Sequence, residues 1–395
     1  MKMLELIATT AFGLESVVKQ EIKELGYAIT KVEDGRVHFE GDARAIPRAN
    51  LWLRCADRVL LSVGNFTAVT FDELFEKTRA LPWEDYIPED GAFPAAKISS
   101  VKSKLFSKSD GQRIVKKAVA VRLGEAYGEG HLPETGAAYP IYIKLLKDQV
   151  TLAINTSGPG LNKRGYRAHG NGAPLKETLA AALVKLSRWR PDRFFLDPLC
   201  GSGTIVIEAA MIGRNQAPGM HRHFDSEAWP EVGRLLWDQA REEAQDVLKR
   251  SPNFRVLGSD IDPKALKQAR LNADLAGVSD YTAFQRLPVQ EVRTRRRYGV
   301  IVTNPPYGSR LLDHDQVSEL TKDMGEVFRA LPDWSYFILS GYEDFEKDFG
   351  QRATKNRKLY NSMIKTYFYQ YYGPLPPRRG RLEAIAGNKG VNHEK

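Results

Sequence analysis

Cysteine is nearly missing from this chain: of 395 residues only Cys55 and Cys200 carry a thiol. They stand far apart, without a CxxC pair or a neighbouring histidine. That pattern argues against a disulfide framework and a structural zinc site, so no metal is expected and a reducing, cytoplasmic compartment is. Long apolar runs are also missing. No stretch approaches the roughly eighteen consecutive apolar residues that read as a membrane span. The N-terminus has no basic segment leading into an apolar one and a cleavage site, so no secretory signal is expected. Acidic residues are in deficit, 49 against 58 Lys and Arg, and the net charge of +9 favours a polyanionic partner.

What is present suggests two or three domains. Leu4–Ala8 reads as a strand, and Leu14–Leu25 as a helix with apolar residues at Leu14, Val17, Val18, Ile22 and Leu25 and a stop at Gly26. Val37–Glu40, Ile46–Arg54 and Val59–Phe66 continue as strand, helix and strand, so residues 1–66 look ferredoxin-like. Residues 67–157 form a second α+β segment. Asp72–Leu81 is amphipathic, and Tyr139–Leu146 and Gln149–Asn155 form a hairpin turning at Lys147-Asp148. Between them, Phe93–Lys117 carries Lys97, Lys102, Lys104, Lys108, Arg113, Lys116 and Lys117 against the single acid Asp110. Interleaved serines and Phe106 complete a donor-rich stretch suited to the backbone of folded RNA; a solvated helix face with a loop is the alternative. Residues 158–174 read as a linker whose Arg164, Tyr166 and Arg167 belong either over a ligand or on a surface loop.

From residue 175 strands alternate with helices. Leu175–Leu186 is a helix, Arg193–Asp197 a strand, Ile205–Ile212 a helix, Phe254–Asp260 a strand and Pro263–Ala276 a helix. Strands near Tyr281–Phe284, at Gly299–Thr303 and at Ser335–Ser340 follow, and Lys358–Tyr372 reads as a hairpin turning at Tyr360-Asn361-Ser362. The alternation predicts a doubly wound, mostly parallel sheet over residues 175–375. Residues 376–395, with Arg378, Arg379 and Arg381, read as a flexible basic tail.

Three strand ends carry chemistry. Gly299–Thr303 is a buried β-branched run stopped by Asn304-Pro305-Pro306-Tyr307, since proline lacks the ladder N–H and fixes its own φ. The stiff elbow offers an amide side chain, backbone carbonyls and an aromatic face, the groups that hold and stack an exocyclic base amine. At Asp197–Thr204 a strand runs through Pro198, Cys200, Gly201, Ser202 and Gly203 into a helix. No Gly-Lys-Ser/Thr follows, so it is not a P-loop, and Ile205-Val206 break the dinucleotide GxGxxG. Glycines there let a ligand approach the backbone. The Asp197 carboxylate repels a pyrophosphate and attracts an amine or sulfonium, pointing to S-adenosyl-L-methionine. Asp260, closing the second strand, suits ribose hydroxyls. Asp262 is its rival, with helix N-cap the better role.

DPLCGSGT, GSDIDP and NPPYG in this order resemble the class I S-adenosylmethionine-dependent methyltransferases acting on exocyclic amines of nucleic acids. RGYR with APLKETLAAAL, and KLYNSMI, resemble more narrowly the THUMP-domain methyltransferases of the bacterial 23S rRNA guanine-N2 type, which are sometimes labelled adenine-N6 DNA methylases. The resemblance implies a Rossmann-like α/β methyltransferase domain preceded by an α+β ferredoxin-like/THUMP RNA-binding region. Carried onto this chain, Asp197 through Gly203 hold the methionine end of the cofactor and Asp260 its ribose. The amine hydrogens of a guanine go to the Asn304 side chain and the Pro305 carbonyl, with Tyr307 stacked on the base. Gln290 and Glu291 are the candidates facing the cofactor's adenine, and Lys97, Lys102, Lys104, Lys108, Arg113, Lys117, Arg164 and Arg167 those facing RNA. The alternatives are a tRNA guanine-N2 or adenine-N6 methylase and an RNA-binding assembly factor without catalysis.

Overall fold

The computed structural model describes residues 2–128, 130, 132–167, 175–250, 253–307, 313–331 and 333–377. Residues 168–174 of the expected linker, Gly308–Arg310 beyond the elbow, and the tail from 378 on, with Arg378, Arg379 and Arg381, lie outside the described residues. The first elements are β1 (Leu4–Thr9), α1 (Glu15–Glu24), β2 (Ala28–Glu33), β3 (Arg36–Gly41), α2 (Ala45–Trp52) and β4 (Arg58–Thr67). Next come α3 (Phe71–Arg79), β5 (Ala95–Val101), α4 (Lys108–Tyr127), β6 (Ile141–Leu146), β7 (Gln149–Asn155) and α5 (Glu177–Leu186). Then follow β8 (Phe195–Asp197), α6 (Thr204–Gly213), α7 (Gly233–Asp246), β9 (Val256–Asp260), α8 (Pro263–Leu275) and β10 (Thr282–Arg286). The series closes with β11 (Val300–Thr303), α9 (His314–Arg329), β12 (Ser335–Ser340), α10 (Phe345–Phe349), β13 (Lys355–Asn361) and β14 (Ile364–Tyr371).

The chain divides into two compact units, one of residues 1–171, 176–182 and 214–252, the other of 172–175, 183–213 and 253–395. In the first unit a single seven-stranded sheet has the order β2-β3-β1-β4-β7-β6-β5. The long strand β4 makes it one sheet, pairing Leu61 with Leu6 of β1 on one side and with Ile154 of β7 on the other. The expected ferredoxin-like and THUMP segments therefore share one hydrogen-bonded ladder. Side chains alternate across it: β6 buries Ile141, Ile143 and Leu145 and turns Tyr142 and Lys144 to the opposite face. Helix α4 closes on the apolar side, where Gly111 leaves so little room that a Cβ there would lie 2.6 Å from Ile98.

Residues 214–252 sit in sequence inside the span expected of the second domain, yet they cluster with the first unit. Aromatic packing explains the attachment. Trp229 stacks on Tyr139 with centroids 4.6 Å apart and gives its indole N–H to the Ala138 carbonyl at 2.8 Å. Trp237 stacks on Phe224 at 4.9 Å, and the Arg222 guanidinium donates to the carbonyls of Ser157 (3.0 Å), Pro159 (2.7 Å) and Gly160 (2.6 Å). Helix α7 of this insert and strand β2 lie where no element was expected from the sequence.

The second unit holds another seven-stranded sheet, ordered β10-β9-β8-β11-β12-β14-β13. Its first five strands are parallel, and β14 is antiparallel to both neighbours. Every residue of β11 and β12 is buried, as expected for central strands covered on both faces. One covering layer packs Phe328, Trp334, Phe345 and Phe349 over Leu196, Ile301 and Ile338. From β8 the chain builds outward through β9 and β10, then returns to place β11 on the other side. This topological switch is where open α/β sheets bind ligands, at the carboxyl ends of the strands. The β13–β14 turn falls at Ser362-Met363, slightly later than expected, with Ser362 in the left-handed region at φ 57°.

Trp229→Ala removes a stacked ring and its hydrogen bond together. It is expected to destabilise the first unit by about 3–5 kcal/mol, read as a lower urea midpoint for that unit's transition.

Candidate active site

Adjacent strand ends in the second unit deliver the expected residues: Asp197 closes β8, Asp260 closes β9, and Asn304 follows β11. Asp197 is 1% exposed. Its Oδ1 accepts from the Thr303 hydroxyl at 2.7 Å and from the Leu199 N–H at 3.2 Å. Burial pushes this carboxyl up to about 7; the bonds from Thr303 and Leu199 pull it down and the charge of Asp260 adds to the rise. Among the described residues no cation pairs with it. A buried carboxylate of this kind beside a glycine-rich turn marks a candidate functional site.

Asp260 clasps the turn. Its Oδ2 accepts from the Gly201 N–H and its Oδ1 from the Asp262 N–H, each at 2.9 Å, leaving further lone pairs for hydroxyl donors. Asp262 takes the N-cap role, accepting from the Lys264 N–H at 2.8 Å. The Cys200 N–H reaches the Ser259 carbonyl at 2.9 Å, the Pro198 carbonyl accepts the Ser259 hydroxyl at 3.5 Å, and the Ser202 carbonyl accepts Asn272 Nδ2 at 3.0 Å. Both glycines have positive φ, 50° at Gly201 and 81° at Gly203. A Cβ at Gly203 would come within 3.0 Å of Ala269, whereas at Gly201 it would meet nothing within 4 Å. The turn is thus packed on one glycine and open over the other.

In the elbow, Asn304 Oδ1 is buried with no hydrogen-bond partner among the described residues. An acceptor stripped of water costs roughly 1–3 kcal/mol, a cost a ligand's N–H can remove. Pro305 is buried and Pro306 half-buried. The Tyr307 hydroxyl accepts from Asn361 Nδ2 at 2.9 Å, and its ring lies against Gly341, where a Cβ would be 3.0 Å from Tyr307 Cδ2. Burial raises the Tyr307 phenol above its usual range while Asn361 opposes the shift. The ring is therefore held at both ends.

Thr303, Asn361 and Ile261 were not anticipated. Thr303 is a polar side chain ending an apolar strand, Asn361 sits inside KLYNSMI, and Ile261 is an apolar residue 60% exposed beside Asp260. Gln290 gives its amide to Asp323 of α9 at 2.6 Å. Glu291 is exposed in the same short 3-10 turn. Of the expected RNA contacts, Lys97 lies on β5, Lys102 and Lys104 on the following loop, and Lys108, Arg113 and Lys117 on α4, all exposed. Arg164 needs correction. It is 4% exposed and its guanidinium donates to the carbonyls of Leu161, at 2.8 Å, and Arg54, so it braces the loop instead of facing phosphate. Arg167 is similarly withdrawn in an ion pair with Glu177 at 2.8 Å. No helix among the described residues is long and apolar enough to cross a membrane.

Residues 164–370 match the RMKL-like methyltransferase domain family, residues 5–60 the RlmL ferredoxin-like domain and residues 68–155 the THUMP domain. A candidate RNA methyltransferase, YpsC of Bacillus subtilis (strain 168), is 50% identical over 385 residues, covering 97% of this chain and all of that one, 100%. A Listeria monocytogenes (str. 4b F2365) structure described as a predicted N6-adenine-specific DNA methylase superposes with a TM-score of 0.89 at 53% identity, covering 95% of this chain and 97% of that one. SMU.472, a candidate methyltransferase complexed with SAH, gives 0.90 at 45% identity over 95% of this chain and 100% of that one. With its switch-point strand ends, glycine-rich turn and NPPY elbow, the chain belongs to the RMKL-like methyltransferase family, its methyltransferase domain preceded by RlmL-type ferredoxin-like and THUMP domains.

Proposed function

We propose that this chain transfers a methyl group from S-adenosylmethionine to the exocyclic N2 amine of a guanine in 23S rRNA. Family membership and the THUMP domain carry the coarser statement, an S-adenosylmethionine-dependent RNA methyltransferase. The residues fit that cofactor. The open space over Gly201, the unpaired buried carboxylate of Asp197 and the spare lone pairs of Asp260 suit, respectively, close backbone approach, a cationic methionine end and ribose hydroxyls. Exposed Ile261 beside Asp260 offers an apolar face to the adenine. SAH, found on the relative SMU.472, is the same cofactor without its methyl group.

When bound, S-adenosylmethionine supplies an electrophilic methyl group. The protein's own part is to hold the amine. The observation that carries the reading is the unpartnered Asn304 Oδ1. A guanine amine has two hydrogens; one suits this oxygen and the other the Pro305 carbonyl, which leaves the nitrogen lone pair free on one side. Tyr307, fixed by Asn361 and Gly341, offers its ring to the base. The target base leaves its stack to reach such an elbow, and fixing amine and donor together removes much of the entropic barrier. The amine proton leaves to solvent after transfer.

Asn304→Ala is expected to lower turnover by about 10²–10³, the scale of losing one preorganised polar contact, while cofactor affinity measured by calorimetry stays at the wild-type value. Protonated Asp197 cannot pair with a cation. Its raised carboxyl therefore makes cofactor affinity climb as pH rises towards about 7 and level off above it; Asp197→Asn flattens that profile. Nucleoside mass spectrometry of rRNA, tRNA and DNA from cells with and without the gene tests the substrate. Loss of N2-methylguanosine from 23S rRNA is expected, and loss from tRNA or of N6-methyladenine from DNA overturns the assignment.

A further inference from the structure

Hairpin β13–β14 reaches past the sheet that carries it. Strand β12 runs antiparallel to β14, and its last pair is Ser340 with Tyr367. Strand β14 therefore carries Thr366, Lys365 and Ile364 beyond the carboxyl edge of the parallel strands, and β13 accompanies it as far as the pair Asn361–Ile364. At about 3.4 Å per residue, Ile364 stands about 10 Å past the level of Ser340. Asn304 and Tyr307 lie on this same edge, and the finger is fastened to the elbow: Asn361 Nδ2 donates to the Tyr307 hydroxyl at 2.9 Å. A Cβ on Gly341 would meet the Tyr307 ring at 3.0 Å and the Lys365 carbonyl at 3.3 Å, so ring and finger close on one glycine.

The tip of this finger is unusual for a surface turn. Two-residue hairpin turns favour glycine and small polar residues. Here Ser362, at φ 57°, is followed by Met363, 94% exposed, and Ile364, 43% exposed. Two adjacent apolar side chains stand in water at the end of a hydrogen-bonded ladder. The flank of the finger is different. Residues directly opposite each other in a ladder share a face, so Lys358 with Tyr367 and Tyr360 with Lys365 lie together on the side away from Asn361 and Ile364. Lys358 Nζ is 5.4 Å from the centre of the Tyr360 ring, and Lys365 Nζ is 5.3 Å from that of Tyr367. Both lysines are exposed. An apolar point thus rises from a flank that carries two ammonium groups.

We propose that hairpin β13–β14 is a wedge: Met363 enters a stacked segment of the RNA and fills the place the target base vacates, while Lys358 and Lys365 meet the flanking phosphates. A base drawn out of its stack leaves its neighbours unstacked, and the cost of that gap opposes extrusion. Apolar side chains such as Met and Ile inserted at a base step occupy gaps of this kind, and a thioether makes favourable contacts with aromatic faces. The inference rests on the RNA methyltransferase reading of the elbow and adds what keeps the base out of its stack. Met363 touches none of the reacting atoms, so it is a positioning residue. A protein partner would also cover an apolar tip, but it gives no reason for the tip to stand beside the ring that receives the base.

The test uses the full chain as wild type, Met363→Ala and Met363→Leu. Transfer of a tritiated methyl group from S-adenosylmethionine to unmodified 23S rRNA and tRNA transcripts is measured for each. On the transcript that the wild type methylates, Met363→Ala is expected to lower kcat by about 10–100-fold, the scale of one lost stacking contact with a base, and to change KM for the transcript by less than about threefold. Met363→Leu, which keeps an apolar side chain of similar size, is expected to recover most of the rate, and cofactor titration shows that both variants remain folded. A photoreactive p-benzoylphenylalanine in place of Met363 is expected to crosslink to a nucleotide adjoining the methylated one, and the same group in place of the exposed Leu235 to leave that nucleotide unlinked. A wild-type kcat in Met363→Ala overturns the wedge and leaves the tip to a protein partner. A rise in KM alone, an equal loss in Met363→Leu, or crosslinks confined to nucleotides remote from the methylated one overturn it as well. Wild-type protein that methylates neither transcript sinks the underlying RNA reading instead, a result distinct from a failure of the wedge alone.

Discussion

One hydrogen bond sets the active-site geometry: the Thr303 hydroxyl given to Asp197 Oδ1 at 2.7 Å. It joins the ends of β8 and β11, the two strands that meet where the sheet's winding reverses. Parallel strands alone fix their spacing through the ladder, but not where the chain goes once the ladder ends. The Thr303 bond carries the register one step further. Asp197 is pinned as the last residue of its strand, and Asn304 begins from a fixed point one residue beyond Thr303. Under the proposed function, the distance between the cofactor and the elbow at Asn304 depends on that link, and reactions of aligned groups are sensitive to displacements of this order.

The remainder of the site is arranged so that little needs to move when ligands arrive. Asp260 already holds the Gly201 and Asp262 N–H groups, and Asn361 already holds Tyr307. Two groups are left wanting: an uncompensated carboxylate at Asp197 and an unpaired oxygen at Asn304. In the proposed function each is relieved by one of the two substrates, so binding energy is directed to the atoms beside the reacting bond.

Much of this was legible in the sequence because it is local. A β-branched run cut by Asn-Pro-Pro, and a strand breaking into two glycines before an apolar helix, announce their geometry within ten residues. The parts that were not legible are long-range. Nothing adjacent to Arg164 says that its guanidinium is spent on the carbonyls of Leu161 and Arg54. Nothing adjacent to Gln290 says that its amide goes to Asp323 on another element. Thr303 and Asn361 became visible only once their partners were in place. Strand β2 escaped because its burial shows no clean alternation, and α7 because its buried Trp237, Ala240 and Ala244 serve a unit far from it in sequence.

The insert of residues 214–252 has a consequence for inheritance. Because the chain leaves the methyltransferase sheet after α6 and comes back only at β9, no single cut yields two complete halves. A fragment beginning after the linker would keep Trp229 and lose Tyr139, exposing aromatic surface that the intact chain covers. Recombination could not shuffle these parts as cassettes. The THUMP-containing and methyltransferase portions are bound to travel, and to diversify, as one gene segment.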